Sequence, residues 1–126
     1  PVNGLFGFKL ERQGQSSASV SFLPKREYTQ EYGVVHGGII SALADTAAVY
    51  TIQPALAPTE RMTSIEFKVN FLAGVTPDRG EVVAHASLKR KGRTVAVVQV
   101  DVHQGDVHVA TGLFTYILLR EAGLSG

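Results

Sequence analysis

One segment of this chain has the pattern of a buried helix, and it limits the folds that the other residues can build. From Gly37 to Leu56 apolar side chains recur with helical spacing, and Pro54 closes the pattern. The recurring residues are Ile39, Ile40, Leu43, Ala44, Ala47, Ala48, Thr51 and Ile52. They fall on most sides of the helix, and a helix that is apolar on most faces is buried. We therefore expect a sheet to wrap around it.

Segments of alternating polarity stand on both sides of this helix in the sequence. Four of them follow it, each bounded by turn residues, and a weaker pair precedes it around the polar turn Gln13 to Ser17. The segments are Phe6 to Arg12, Ala18 to Leu23, Thr63 to Leu72, Glu81 to Lys89, Thr94 to His103 and Val107 to Leu118. Two strands, one buried helix and four more strands predict an α+β fold with one antiparallel sheet. The sequence contains neither repeats nor linkers. We therefore expect residues 1–126 to form a single domain.

The amino-acid composition excludes several classes of function. The chain has 44% hydrophobic and 18% charged residues, which is enough apolar material for a core. Its formal net charge of +1 gives no field that would favour nucleic acid or a membrane surface as the main partner. Cysteine is absent, which excludes disulfides, thiolate metal sites and a cysteine nucleophile. Because no apolar run reaches the roughly 20 residues of a membrane span and no signal-peptide pattern is present, we expect a cytoplasmic protein.

Asp45 is the most informative single residue. Between Glu31 and Glu60 it is the only formally charged side chain, and it stands in the middle of the apolar helix. Burying an unpaired carboxylate costs several kcal/mol, so something must offset this cost. Asp45 either faces a solvated groove or caps backbone amides, or it is held there for catalysis.

Two glycines stand at the start of the same helix. In the run from Tyr32 to Gly38 they leave the first helical N–H groups unshielded, and such an end attracts negative charge. Gly37 could polarise a carbonyl oxygen as in an oxyanion hole, although a plain loop-to-helix junction would look the same. Gly37 and Asp45 are about 12 Å apart along a helix with a rise of ~1.5 Å per residue. If both serve one reaction, they must come from two copies, which predicts a homodimer.

The run from His36 to Asp45, HGGIISALAD, resembles the HGG-x(6)-D motif of hotdog-fold thioesterases of the phenylacetate-pathway and 4-hydroxybenzoyl-CoA type. The Tyr32-Gly33 approach, the strand from Thr63 to Gly74 and the Gly92-Arg93 hairpin also fall where that family has them, so the resemblance covers nearly the whole chain. It implies a sheet wrapped around the long helix and dimers that usually pair into tetramers. It also implies hydrolysis of an acyl-CoA substrate without a metal or cofactor.

The resemblance implies roles for particular residues. Gly37 would offer its N–H to the thioester carbonyl, and Asp45 of the opposite subunit would act as nucleophile or as base for water. Gln30 would lie near the thioester or the attacking water, and Ser64 would orient water, although Thr63 beside it could serve instead. His36 and Gly38 complete the motif; His36 is expected to shape the helix entrance rather than transfer a proton, because no GxSxG pattern accompanies it.

One position departs from the motif. Four residues after Asp45, where one branch of the family has Thr, this chain has Val49. The departure argues slightly against the 4-hydroxybenzoyl-CoA branch and leaves the fine mechanism open. The acyl group could be aryl or medium-chain.

The densest cationic cluster lies at a predicted hairpin tip, in Lys89, Arg90, Lys91, Gly92 and Arg93. It is either a solvated turn or a site for the phosphates of coenzyme A, and we favour phosphate binding. The histidines at positions 85, 103 and 108 have no metal-ligand spacing and no acidic partner nearby in sequence, so we expect ordinary strand residues.

Two further function classes compete with a thioesterase. Hotdog domains can bind acyl-CoA without turning it over, so a non-catalytic binding or regulatory module is the main alternative. Asp45 argues against it, because non-catalytic relatives tend to lose the carboxylate. A hotdog dehydratase would need a His and an acid in a different arrangement, which the sequence lacks.

Overall fold

A computed structural model describes residues 2–120 of the chain. Along the sequence the elements are α1 (Val2–Phe6), β1 (Lys9–Gln13), β2 (Ser17–Phe22), α2 (Gly37–Ile52), β3 (Glu60–Phe71), β4 (Val82–Lys91), β5 (Val95–Gln104) and β6 (Val107–Arg120). The strands form one six-stranded sheet in the order β1-β2-β4-β5-β6-β3, and every neighbouring pair is antiparallel. The predicted α+β fold is therefore confirmed.

Helix α2 packs against one face of this sheet, mainly on β2, β4 and β5. The helix side that faces the strands is buried and is made of Ile40, Leu43, Ala44, Ala47, Ala48, Thr51 and Ile52. Each fully buried Leu or Ile in such a layer stabilises the fold by about 1.5–3 kcal/mol. Asp45 and most of the remaining helix residues are only half-buried. One copy of the sheet thus packs on one side of α2, as the sequence pattern predicted.

Two predicted boundaries are wrong by a few residues. The first strand begins at Lys9 rather than Phe6, because Phe6 belongs to the short helix α1. Gly7 follows that helix with φ 69°, a left-handed conformation that glycine adopts freely and that ends the helix. Helix α2 ends at Ile52, and a 3₁₀ turn over Gln53–Ala55 continues it toward Leu56.

Strand β3 contains a bulge that the sequence pattern does not reveal. The alternation predicts that Ile65 and Phe67 share one face and Ser64 and Glu66 the other. In the sheet, Ser64 pairs with Tyr116 and Glu66 with Thr115, so Ile65 is the extra residue. A bulge shifts the alternation by one position, and Ser64 therefore lies on the same face as Phe67.

The outer edge of β3 is long, apolar and exposed. This strand has 12 residues, pairs with β6 on one side, and is exposed along most of its length. Ile65, Phe67 and Phe71 are each at least half exposed, at 55%, 50% and 55%. Long apolar edge strands are normally covered, because their free N–H and C=O groups pair with other chains. Within residues 2–120 no helix has the length and hydropathy needed to cross a membrane.

Candidate active site

His36 forms the entrance to helix α2. It is the N-cap residue, and its Nδ1 accepts a hydrogen bond of 2.9 Å from the backbone N–H of Gly38. A ring nitrogen that accepts carries no proton, so the proton of the neutral imidazole is on Nε2. A Cβ on Gly38 would stand 3.0 Å from this Nδ1, and glycine therefore lets the ring close over the helix end. His36 thus caps the entrance of the helix, and its role in the reaction stays a prediction.

Gly37 is the first residue of α2, and its N–H has no acceptor among the residues that the structure describes. The first N–H groups of a helix lack intrahelical partners and carry the positive end of the helix dipole. The ring of Phe71 lies 3.2 Å from the place where a Cβ of Gly37 would be. Gly37 thus offers a free donor beside an aromatic wall.

Gln30 lies beside the same donor. Both residues line a cleft of about 410 Å³, called here the Gly37 cleft, whose other walls are apolar side chains and backbone. The side-chain Oε1 of Gln30 accepts a hydrogen bond from the N–H of Tyr32. This bond fixes the orientation of the carboxamide and leaves its two N–H donors available. The structure therefore brings Gln30 and Gly37 together in one cleft.

Asp45 lies two turns further along α2 and lines a different cavity. This Asp45 cleft has a volume of about 280 Å³ and is lined by Asn3, Asp45, Thr46, Val49, Tyr50 and Gln53. The carboxylate is half-buried, and its Oδ1 accepts a hydrogen bond from the hydroxyl of Tyr116. Within one chain, Asp45 and Gly37 do not share a cleft, in keeping with their ~12 Å separation along the helix.

Tyr116 is a residue that the sequence analysis missed. It lies on β6 with 2% of its surface exposed, and its hydroxyl donates a hydrogen bond to the carboxylate of Asp45. Burial, and then the hydrogen bond and negative charge of Asp45, raise the pKa of Tyr116 well above that of a free phenol. The hydroxyl therefore stays protonated and donates a hydrogen bond to Asp45. A signal was present, because Tyr116 alternates with buried Phe114 and Leu118, and a buried tyrosine needs a polar partner.

Ser64 lies directly opposite Tyr116 on the neighbouring strand. Residues that face each other across an antiparallel pair put their side chains on the same face, so Ser64 is on the face that carries α2. Thr63 lies opposite Ile117, on the other face. Of the two hydroxyls that the sequence left open, the bulged register turns that of Ser64 toward the helix.

The cationic hairpin between β4 and β5 lies far from Gly37 within one chain. Lys91 forms a 3.4 Å ion pair with Glu60, at the start of β3, whereas Gly37 contacts Phe71 at the end of that strand. A hydrogen bond from the N–H of Ala57, followed by the charge of Lys91, holds the pKa of Glu60 below its usual value, against the effect of partial burial. Lys91 is thus partly neutralised. The exposed cations of the tip are Lys89, Arg90 and Arg93, around Gly92, whose N–H closes the turn on Val95.

The three strand histidines cluster on the sheet face away from α2. The rings of His103 and His108 stack 4.5 Å apart, and Nε2 of His108 lies 2.9 Å from Oδ1 of Asp101. His85 shares a 3.0 Å hydrogen bond with Ser19. The expectation that these histidines have no acidic partner is therefore wrong for His108, because strand pairing brings Asp101 next to it. No group of three potential metal ligands with suitable geometry occurs within residues 2–120.

Comparison with known proteins defines the class that this fold and site belong to. Residues 32–111 match the model of the family described as Thioesterase superfamily, and this match covers more than half of the chain. The chain belongs to the thioesterase superfamily.

Individual proteins that are similar to this chain in sequence or in fold support its place in this superfamily. The chain is 30% identical to the medium/long-chain acyl-CoA thioesterase YigI of Escherichia coli, over 94% of this chain and 85% of YigI. Its fold is similar to that of a thioesterase from Haemophilus influenzae, with a TM-score of 0.87 and 22% identity over 94% of this chain and 82% of that one. It also matches AziG of S. sahachiroi, with a TM-score of 0.91 and 22% identity over 96% and 98% of the two chains. The hotdog fold expected from the sequence is confirmed.

Proposed function

We propose that this chain hydrolyses acyl-CoA thioesters, with an aryl or medium-chain acyl group, at sites that two copies build together. The observation that carries the proposal is the Asp45 carboxylate. It is the one charge on a helix that is otherwise apolar, it borders a cleft, and a buried tyrosine holds one of its oxygens. A carboxylate without a catalytic or binding task at this position would only add desolvation cost to the fold.

The edge of β3 supports the two-copy site. If β3 pairs antiparallel with the β3 of a second copy, the unpaired backbone groups and the exposed Ile65, Phe67 and Phe71 become covered. The two-fold axis of such a pair brings the end of one β3 next to the start of the other. Gly37, which contacts Phe71, then approaches the partner's α2 near its Asp45. Both groups can then reach one thioester.

The chemistry follows from these positions. The N–H of Gly37 and the carboxamide of Gln30 would bind the thioester oxygen, where negative charge grows as the carbonyl carbon becomes tetrahedral. In one route the Asp45 carboxylate attacks that carbon, the C–S bond breaks, and the coenzyme leaves as a thiolate. Water then hydrolyses the acyl-aspartyl anhydride. In the other route Asp45 removes a proton from water, which attacks directly, and the Ser64 hydroxyl would orient that water.

The same pairing gives the cationic hairpin a role. In one chain the hairpin lies at the start of β3, so two-fold pairing moves it toward the partner's Gly37 end. Lys89, Arg90 and Arg93 would then meet the phosphates of the coenzyme while Gly37 of the other copy holds the thioester. Their exposure and the ion pair that occupies Lys91 make them the binding cations of this tip.

Two single variants test the proposal. Asp45→Asn keeps the side-chain shape and removes the charge, and kcat should fall about 10²-fold or more, because general base catalysis alone supplies about 10² to 10⁴. Gly37→Pro removes one N–H at the first helical position, where proline is accommodated. Its Cβ would lie 3.2 Å from the ring of the half-exposed Phe71, which must shift by a few tenths of an ångström, so Gly37→Ala, which adds the same Cβ and keeps the N–H, is the matched control. His36 precedes Gly37 with φ −56° and ψ 130°, a conformation compatible with a following proline.

The readout is hydrolysis of a panel of aryl- and medium-chain CoA esters, with melting temperature measured for each variant. The proposal expects both variants to fold as the parent does and to lose kcat. Full activity of Asp45→Asn would instead favour the non-catalytic binding module. A loss of activity that only follows a loss of folded protein would make Asp45 structural.

A further inference from the structure

The turn between β4 and β5, residues 92–94, is held to strand β6 by two different kinds of contact. The backbone oxygen of Thr94 accepts a 2.8 Å hydrogen bond from the N–H of Leu118, as in a regular strand pair. At Arg93 a side chain makes the contact, because the guanidinium Nη2 of Arg120 donates a 3.2 Å hydrogen bond to the Arg93 backbone oxygen. The backbone that carries the Arg93 side chain therefore depends on the position of Arg120.

Arg120 is itself held by a carboxylate. Its Nη2 lies 3.4 Å from Oε2 of Glu60, the residue directly opposite it in the β3–β6 pair. The Glu60 side chain is 5% exposed, and its Oε1 accepts a 2.8 Å hydrogen bond from the N–H of Ala57 and lies 3.4 Å from Nζ of Lys91. A carboxylate with partners on both oxygens is held in one orientation. Glu60, Arg120 and the backbone oxygen of Arg93 thus form a continuous chain of contacts, called here the Glu60 relay.

The Glu60 relay runs from a covered carboxylate to an exposed cation. Glu60 is nearly covered, the side chain of Arg120 is 47% exposed, and Arg93 is exposed. The planar guanidinium of an arginine can bind a phosphate through two parallel hydrogen bonds, but only when it points at the phosphate. A fixed backbone leaves the side chain fewer directions to lose on binding, which lowers the entropic cost of the contact.

We propose that Glu60 and Arg120 are positioning residues for the coenzyme, and that they hold the backbone of Arg93 so that its guanidinium meets the phosphates. This inference rests on the proposed thioesterase function, in which the β4–β5 hairpin receives the coenzyme end of the substrate. It gives Glu60 an effect opposite to that of its charge. A carboxylate near a phosphate site repels the ligand, so by charge alone the loss of Glu60 would strengthen coenzyme binding. Positioning requires that the loss of Glu60 weakens it.

Binding of free coenzyme A, measured by isothermal titration calorimetry, tests the inference without relying on hydrolysis. Glu60→Gln removes the charge and keeps the side-chain shape, and Arg120→Leu removes the donor to Arg93. Each variant should raise the Kd for coenzyme A about 2- to 5-fold, as the loss of a partly exposed ion pair does, and no more than Arg93→Ala raises it. The KM of N-acetylcysteamine thioesters, which lack the phosphates, should not change.

Two comparisons separate positioning from a general effect on the fold or on the charge. In an Arg93→Ala background, Glu60→Gln and Arg120→Leu should raise the Kd no further, because residues that act as a unit are not additive. Glu11→Gln is the matched control, since Glu11 also forms an ion pair, 3.7 Å from Lys9, but on β1 at the opposite edge of the sheet. It should leave the Kd unchanged.

The possible outcomes are distinct. Tighter binding by Glu60→Gln, an unchanged Kd, or a further loss in the Arg93→Ala background would each overturn the inference. Because Arg120 is half exposed at the end of β6, Arg120→Leu keeps the test open if Glu60→Gln lowers the melting temperature. A parent protein that does not bind coenzyme A would overturn both the inference and the proposed function. Relay-dependent binding in a protein that hydrolyses no CoA ester would support the inference and contradict the proposed function alone.

Discussion

The bond between Tyr116 and Asp45 is the smallest unit on which the proposed chemistry depends. It occupies one carboxylate oxygen and leaves the other for the reaction. Tyr116→Phe removes only the hydroxyl, so the carboxylate loses its orientation while the core keeps its ring. A hydrogen bond to a charged group is worth about 1.5–3 kcal/mol, so we expect kcat to fall about 10-fold or more with little change in KM.

A double-variant comparison makes this test specific. If Tyr116 acts by positioning Asp45, adding Tyr116→Phe to Asp45→Asn should cause no further loss, because residues that act as a unit are not additive. The same fractional loss on both backgrounds would mean that Tyr116 acts independently of the carboxylate.

At this scale the sequence predicted which residue is unusual but not what holds it. Asp45 stood out as the one charge on an apolar helix, and the free N–H of Gly37 followed from its place at a helix start. The partner Tyr116 is 71 positions away in the chain. A contact of that kind depends on which strand lies under which helix turn, and no local pattern contains it.

At the scale of elements, the β4–β5 hairpin carries a prediction about binding rather than chemistry. Arg90→Ala and Arg93→Ala should each raise KM for CoA esters about threefold or more and leave kcat nearly intact, since they remove uniform binding. The matching N-acetylcysteamine thioesters lack the phosphates and should be barely affected. Lys25→Ala, at an exposed cation outside the hairpin, is the control. Equal losses with both kinds of substrate would make the hairpin cations structural.

His85, on the sheet face away from α2, should make the stability of the fold depend on pH. Burial, and then the positive charges of His103 and Arg12, hold the pKa of His85 below its usual value of 6.5, although Asp101 opposes them. The unfolded chain therefore binds more protons below that pH, and the resulting stability is present above pH 6.5 and is lost as the pH falls through the lower folded-state pKa. Melting temperatures measured from pH 7.5 to pH 5 should fall. The fall should be smaller in His85→Gln, and an unchanged slope would contradict this account.

The elements themselves were largely predictable, and their irregularities were not. Alternation located all six strands, because each buries one face. It misjudged the face of Ser64, because the bulge at Ile65 depends on pairing with β6 rather than on local residue preference. The short helix α1 escaped notice for a related reason, since Phe6 and Phe8 read as a strand until their contacts with Tyr28 and Phe22 are known.

At the scale of the whole molecule, the proposed site is incomplete within a single chain. Its donor end and its carboxylate border different clefts, and its β3 edge leaves apolar side chains exposed. The sequence already suggested a dimer from the spacing of Gly37 and Asp45 along one helix. Which edge would join the copies became visible only when the strand order placed β3 outermost, because β3 precedes β4 in the chain but pairs only with β6.

Mixing two inactive variants tests the shared site most directly. In a mixed dimer of Asp45→Asn and Gly37→Pro chains, one of the two sites combines an intact Gly37 with an intact Asp45, and the other has neither. Random exchange makes half of the dimers mixed, so the account predicts recovery of about a quarter of the parent's activity per chain from two preparations that are each nearly inactive. If subunit exchange is demonstrated and activity stays at the level of the separate variants, the two groups do not act across copies, and the central claim is wrong.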